Sequence, residues 1–225
     1  MKKNHPWLDQ YPVSNDSTGL IIGTHPPIPY RGCMSFYYGN MNEFWRLLEL
    51  VYTSDKFFDN DGKPELEFIK KWLKKYNLGI TDIVKYTTND FSIDSDMEIA
   101  TGIEQLNEYL YDWIKDSSIN TIYFTSFGTG KSAYGLFRRW SKFYFKETLP
   151  TGNCIINSET ECTIINIFNR DIKLVMLYSP SPAARRGIPR STPYKNWLKD
   201  NQNIKKPIDE FRVYWYSKHL PKTLF

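Results

Sequence analysis

Five short apolar runs, each cut off by a turn or a polar loop, alternate with segments whose apolar residues recur at helical spacing. That alternation restricts the fold more than any other feature of the chain. The runs are Leu20-Ile21-Ile22 between Gly19 and Gly23, then residues 80–84, 119–126, 162–168 and 173–178. They are too short for core helices, and the 119–126 run is rich in β-branched and aromatic residues, so all five read as strands. Between them the spacing predicts a helix over 43–53, with Phe44, Leu47, Leu48 and Val51 on one face. Asn40 and Glu43 stand as a capping box at its start. A second helix carries Leu66, Ile69, Trp72 and Leu73 and ends near Asn77-Leu78-Gly79. A third is expected over 97–115, burying Ile99, Ile103, Leu106, Leu110 and Ile114, and another contains Ala133, Leu136 and Phe137. Two more close the chain around 193–200 and 208–219, and the 162–168 and 173–178 strands are joined by a turn at Asn169-Arg170-Asp171.

Strands alternating with helices imply an α/β chain: a three-layer α/β/α sandwich with a mostly parallel central sheet. At 225 residues and 41% hydrophobic, the sequence is read as one domain spanning 1–225. Residues 1–18 form an N-terminal arm pinned by Trp7, Leu8 and Tyr11, and the helices of 191–225 pack on the body. In open α/β sheets ligands bind outside the carboxyl ends of the strands. The loops after the 19–23, 119–126 and 173–178 strands are therefore expected to gather at one sheet edge and build one site.

Composition narrows the class. The aromatic content is 16%, with 16 Tyr and 7 Trp, residues suited to half-buried surfaces where a flat face meets a ligand. The net charge is only +4, but Arg185, Arg186, Arg190, Lys195, Lys199, Lys205 and Lys206 crowd residues 185–206 against the single acid Asp200. Such a patch fits a polyanionic partner or a solvated basic face. Cys33, Cys154 and Cys162 have neither CxxC nor zinc-ligand spacing, so no metal is expected and a reducing compartment is. The N-terminal MKKNHPWLDQYP lacks an apolar signal core, and no apolar stretch reaches the roughly 18 residues of a membrane span. A cytoplasmic protein without a membrane partner is expected.

The strand at 119–126 runs into Phe127-Gly128-Thr129-Gly130-Lys131-Ser132 and a helix, the outline of a phosphate-cradling loop. The pattern G-x-x-x-x-G-K-[ST] needs Gly at 125, where this chain has Thr125, and the 173–178 strand ends in Tyr178-Ser179 with no acid to hold magnesium. A glycine-rich strand-to-helix turn is the plainer reading, with a P-loop-like nucleotide-binding enzyme as an open alternative.

Set side by side, the loops carry a second pattern. Gly23-Thr24-His25-Pro26 is followed by Tyr37-Tyr38-Gly39-Asn40-Met41-Asn42-Glu43-Phe44-Trp45, then Gly79-Ile80-Thr81-Asp82-Ile83-Val84, then Gly130-Lys131-Ser132-Ala133-Tyr134, then Ser179-Pro180-Ser181-Pro182. In this order, over residues 20–187, the motifs resemble those of the uracil-DNA glycosylase superfamily, nearest its mismatch-specific uracil/thymine and hypoxanthine branches. The resemblance implies the same three-layer sandwich and hydrolysis of an N-glycosidic bond in DNA, as in base excision repair. It implies no cofactor, because water is the nucleophile, and a monomer whose partner is DNA with a damaged or mismatched base.

Such a reaction passes through an oxocarbenium-like sugar, so a carboxylate or carboxamide must position water and donors must steady the departing base. The target base must also leave the stack for a pocket with an aromatic wall. By the resemblance, Gly23 and Thr24 line the base pocket and Tyr37 or Tyr38 stacks on the base. His25 occupies the place where relatives carry the water-positioning Asp or Asn. In the hypoxanthine branch the Asn of the second motif takes over, so Asn42 is the first candidate catalyst and His25 the second. Glu43 stands where Arg is usual, and Ser179 where uracil-specific relatives carry His. Ser179, Ser181 and Ala183 belong to the loop that grips and wedges the DNA, with Arg185 beside the orphaned base. Lys131, Arg185, Arg186 and Arg190 are the expected phosphate contacts. A nucleic-acid-binding relative without catalysis remains the alternative.

Overall fold

The structure is a computed structural model, and it describes residues 2–26, 34–39, 43–88, 102–128 and 130–222. The strands are β1 (Lys3–Asn4), β2 (Gly19–Gly23), β3 (Leu78–Asp82), β4 (Tyr86–Thr87), β5 (Thr121–Phe124), β6 (Cys162–Ile167) and β7 (Arg170–Met176). The helices are α1 (Phe44–Val51), α2 (Leu66–Lys75), α3 (Tyr109–Asp116), α4 (Ala133–Tyr144), α5 (Gly152–Ile156), α6 (Thr192–Asp200) and α7 (Pro207–His219). Five strands form the central sheet in the order β3-β2-β5-β7-β6. Its first four run parallel, and β6 closes the edge antiparallel to β7. The α/β sandwich read from the alternation is therefore the fold.

The topology sets the layers. From β2 the chain steps outward to β3, then returns past β2 to β5 and on to β7. Right-handed crossovers place helices on opposite faces when the stepping direction reverses. Accordingly α1 packs with α2 and α7, through Tyr52 against Trp72 and Phe44 against Tyr216, while Tyr111 of α3 meets Tyr144 of α4. Helices on both faces leave the middle strands no wet side. Leu20, Ile21 and Ile22 are all 0% exposed, which is why this strand is an unbroken apolar run rather than an alternating one.

Two expectations are corrected. The helix placed over 97–115 begins only at Tyr109; residues 97–101 lie outside the described residues, and Ile103–Gln105 is a single 3-10 turn. The reason is tertiary pairing. Val84 bridges Leu106, the Lys85 N–H donates to the Gln105 carbonyl at 2.8 Å, and the Asn107 N–H donates to the Ile83 carbonyl at 2.8 Å. Backbone groups committed to that extended pairing are not available to a helix. The β6–β7 turn also falls one residue earlier than expected. Phe168 and Asn169 have φ of 55° and 58°, the two left-handed residues of a tight hairpin turn.

The arm is part of the body. β1 pairs antiparallel with β4, and Trp7 and Leu8 are buried. Among the described residues no helix is long and apolar enough to cross a membrane, and no group of three or more His, Cys, Asp or Glu is placed to hold a metal ion.

Candidate functional site

Parallel strands bring their carboxyl ends to one edge, and here β3, β2, β5 and β7 do so side by side. The ladder continues past the strand ends: Ile83 N–H donates to the Gly23 carbonyl at 2.9 Å, Val84 N–H to that of Thr24 at 3.1 Å, and Leu177 N–H to that of Phe124 at 2.8 Å. The loops predicted to converge therefore leave the sheet in a fixed relation. Three α7 side chains then catch alternate carbonyls from the last residue of β7 onward. Trp215 Nε1 donates to Met176, Tyr216 Oη to Tyr178 and an Arg212 guanidinium nitrogen to Pro180, at 2.9, 2.8 and 2.8 Å.

Gly23 sits at the centre. A Cβ there would lie 2.2 Å from Asp82 Oδ1 and 2.3 Å from the Tyr38 hydroxyl, so both oxygens converge above its Cα. Only glycine leaves room for that approach. The Tyr38 hydroxyl hydrogen-bonds Thr125 Oγ1 at 2.8 Å, and its ring stacks on Phe44 with centroids 4.3 Å apart. Tyr38 has φ of 56°, a left-handed conformation costly for a bulky residue and typical of sites whose surroundings impose it. Thr24 Oγ1 lies 3.5 Å from Ser126 Oγ, which also accepts from the Ala133 N–H at 2.9 Å.

Beside them, Asp82 is 6% exposed and its Oδ2 lies 2.9 Å from His5 Nε2. The Trp7 N–H donates to His5 Nδ1 at 3.1 Å, which makes Nδ1 the acceptor and Nε2–H the donor to Asp82. The His25 ring stands edge-on to His5, centroids 5.0 Å apart. His25 Nδ1 lies 2.6 Å from the Pro26 carbonyl, so it carries the proton and donates. Burial pushes His25 down to about 4, helped by His5 and opposed by the Pro26 carbonyl and Asp82. At neutral pH it is an uncharged imidazole. Its buried Nε2 lone pair has no hydrogen-bond partner among the described residues.

The expected site residues separate into groups. Gly23, Thr24, His25 and Tyr38 share this edge. Tyr37 is 1% exposed, packed among His5 and Phe36, and burial pushes its hydroxyl well above its ordinary range. Of the tyrosine pair, Tyr38 is the half-exposed one. Asn42 and Asn40 lie outside the described residues. Ser179 Oγ accepts from the Ser181 N–H at 3.2 Å, capping the turn into Pro182–Arg186. Ala183, Arg186 and Arg190 are exposed, and Lys131 is partly so.

Arg185 is not a free wedge. It donates to Glu43 Oε1 and Oε2 at 2.9 and 2.7 Å and pairs with Asp209 at 3.1 Å. Glu43 also receives buried Arg212 at 3.0 Å. Burial raises the Glu43 carboxyl, but the two guanidinium groups outweigh it and hold Glu43 below its ordinary range. The acid that departs from the resembled motif is thus the anchor that ties the loop after β7 to α1 and α7. Ser132, in the P-loop-like turn, is used as a helix cap, its Oγ accepting the Gly135 N–H at 3.1 Å.

Sequence reasoning missed His5 and Asp82. Asp82 was visible as the last residue of an apolar strand, a position that faces the ligand edge in this fold class. His5 carried no signal, because its partner is 77 positions away. The chain matches no protein-family profile and no curated protein sequence.

Proposed function

We propose that this chain is a DNA glycosylase, hydrolysing the N-glycosidic bond of a deaminated base (uracil in a mismatch, or hypoxanthine) as the first step of base excision repair. The observation that carries the reading is the meeting, at the carboxyl ends of β2, β3, β5 and β7, of the loops that hold the glycosylase-like motifs. Four properties of that edge suit the reaction. A tyrosine ring backed by Phe44 suits a base turned out of the duplex. A neutral imidazole with an open Nε2 and a cluster of hydroxyls can orient water and base edges. Exposed Arg186 and Arg190 lie in the turns that follow β7, where a phosphate backbone would run past the site.

The test is incubation with duplex and single-stranded oligonucleotides bearing uracil, G·U, G·T or inosine, followed by alkaline scission at abasic sites. Release from at least one substrate is expected. Absence of scission on all of them at high protein concentration removes the glycosylase reading. Asn42→Ala should reduce release further than His25→Ala, and the reverse ranking would make the first motif the larger contributor to catalysis.

A second reading, a nucleic-acid-binding relative without catalysis, is favoured by Ser179. Where uracil-specific relatives place a charge-stabilising His, this chain has a neutral serine whose Oγ accepts the N–H of Ser181 in its own turn. It predicts salt-sensitive DNA binding with no base release.

A further inference from the structure

We infer that Asp82, which lies in the Gly79-to-Val84 motif but was given no role above, holds the attacking water through its Oδ1, and that His5 of the N-terminal arm is its positioning residue. This rests on the glycosylase reading and names the acid that the first motif lacks. Asp82 ends β3 in register with Gly23, the last residue of β2. Its two oxygens have different surroundings. Oδ2 accepts from His5 Nε2–H, and the Trp7 N–H on Nδ1 fixes that tautomer. Oδ1 is turned the other way, toward the bare Cα of Gly23 and the Tyr38 hydroxyl. A buried carboxylate whose one oxygen is locked by a neutral donor is a preorganised acceptor at the other. The same arrangement explains why the arm is stitched to the body through β1 and β4: it delivers His5 to within 2.9 Å of the carboxylate.

The step balances without a co-reactant. The water oxygen bonds to the sugar C1′ as the bond from C1′ to the base nitrogen breaks. The electron pair of that bond leaves with the base, Oδ1 accepts the proton lost by water, and the base takes up a proton from solvent. The negative carboxylate also faces the positive charge that develops on the sugar.

The experiment pairs single-turnover base release with equilibrium binding of two oligonucleotides. One carries a cationic pyrrolidine abasic analogue, the other a neutral tetrahydrofuran. Asp82→Asn should slow release by about 100-fold or more and remove the preference for the cationic oligonucleotide. His5→Phe should impair both readouts, and His5→Gln, which keeps a donor near the Nε2 position, should restore them to within about tenfold of wild type. Thermal unfolding of each variant separates these effects from misfolding, and the two His5 variants test the idea if Asp82→Asn is unstable. Release by Asp82→Asn within about threefold of wild type overturns the inference and leaves the glycosylase reading intact. A wild type that releases no base, yet prefers the pyrrolidine in an Asp82-dependent way, overturns the glycosylase reading and retains the carboxylate facing the sugar. Neither release nor preference overturns both.

Discussion

At the scale of single residues, the site depends on what Gly23 omits. Asp82 is fixed by His5 and Tyr38 by Thr125, so neither oxygen near Gly23 is the loose end of a flexible side chain. Gly23→Ala should lower stability by about 1–3 kcal/mol, as overpacking does, and remove the proposed base release. A denaturant midpoint equal to wild type would show that the strand ends yield more easily than these contacts allow. His25 makes a separate prediction about acid. Unfolded, its imidazole takes up a proton near pH 6.5; folded, it stays neutral to about 4. Between those values the unfolded chain binds more protons, so this contribution to stability is complete above 6.5 and is lost as pH falls toward 4. A shift of that size is worth about 3 kcal/mol. His219 is also pushed down to about 4 by burial, so His25→Gln should flatten the loss of stability between pH 6.5 and 4 without abolishing it. Parallel wild-type and variant curves would refute the role given to His25. The first-motif residues of this edge were legible because they are contiguous in sequence. Asp82 was legible only as an acid at a strand end and His5 not at all, because their pairing across 77 positions exists only in the folded chain.

At the scale of elements, the contact of α1 with α7 runs through a small charge network. Arg212 is 2% exposed and is held by Glu43 and the Pro180 carbonyl, whereas Arg185 is more than a third exposed on its side chain. Removing the anion strands a buried cation; removing the outer cation does not. Glu43→Gln should therefore cost about 1–3 kcal/mol, and Arg185→Ala less than about 1, read from chemical denaturation. The opposite order would mean that Asp209, 3.6 Å from Arg212, compensates for the lost carboxylate. The helix faces that build this contact were readable from spacing: Phe44, Leu47 and Leu48 are buried as the pattern required. The network was not. The spacing makes Glu43 a capping-box residue, but its side chain makes no cap hydrogen bond and binds Arg185 and Arg212 instead, and Arg185 reads from sequence as a free cation. The third helix failed for a related reason. Its 3.6-residue stripe includes Leu106, which the fold uses in extended backbone against Val84. Local period lost there to a tertiary pairing that makes two backbone hydrogen bonds.

At the scale of the molecule, the sheet order turns distant motifs into neighbours and sets them beside a basic surface. The net charge of +4 is too small to make the whole chain a polyanion binder, so on the proposed glycosylase reading the affinity for DNA comes from charges placed near the site. Arg186 and Arg190 meet that condition. Both are exposed and both lie in the turns that follow β7, whose backbone α7 clamps at Met176, Tyr178 and Pro180. Arg185, bound to Glu43 and Asp209, is already neutralised and should contribute little. Each phosphate contact releases a counterion, so the slope of log affinity against log salt concentration counts such contacts. The double variant Arg186→Ser, Arg190→Ser should lower the magnitude of that slope by about 2, while its ranking of substrate bases stays as in wild type. Arg185→Ser should change the slope by well under 1. If Arg185 proves the larger contributor, the Glu43 latch must open on DNA, and the closed network would describe only the unbound protein. An unchanged slope in the double variant would place the DNA path elsewhere on the surface.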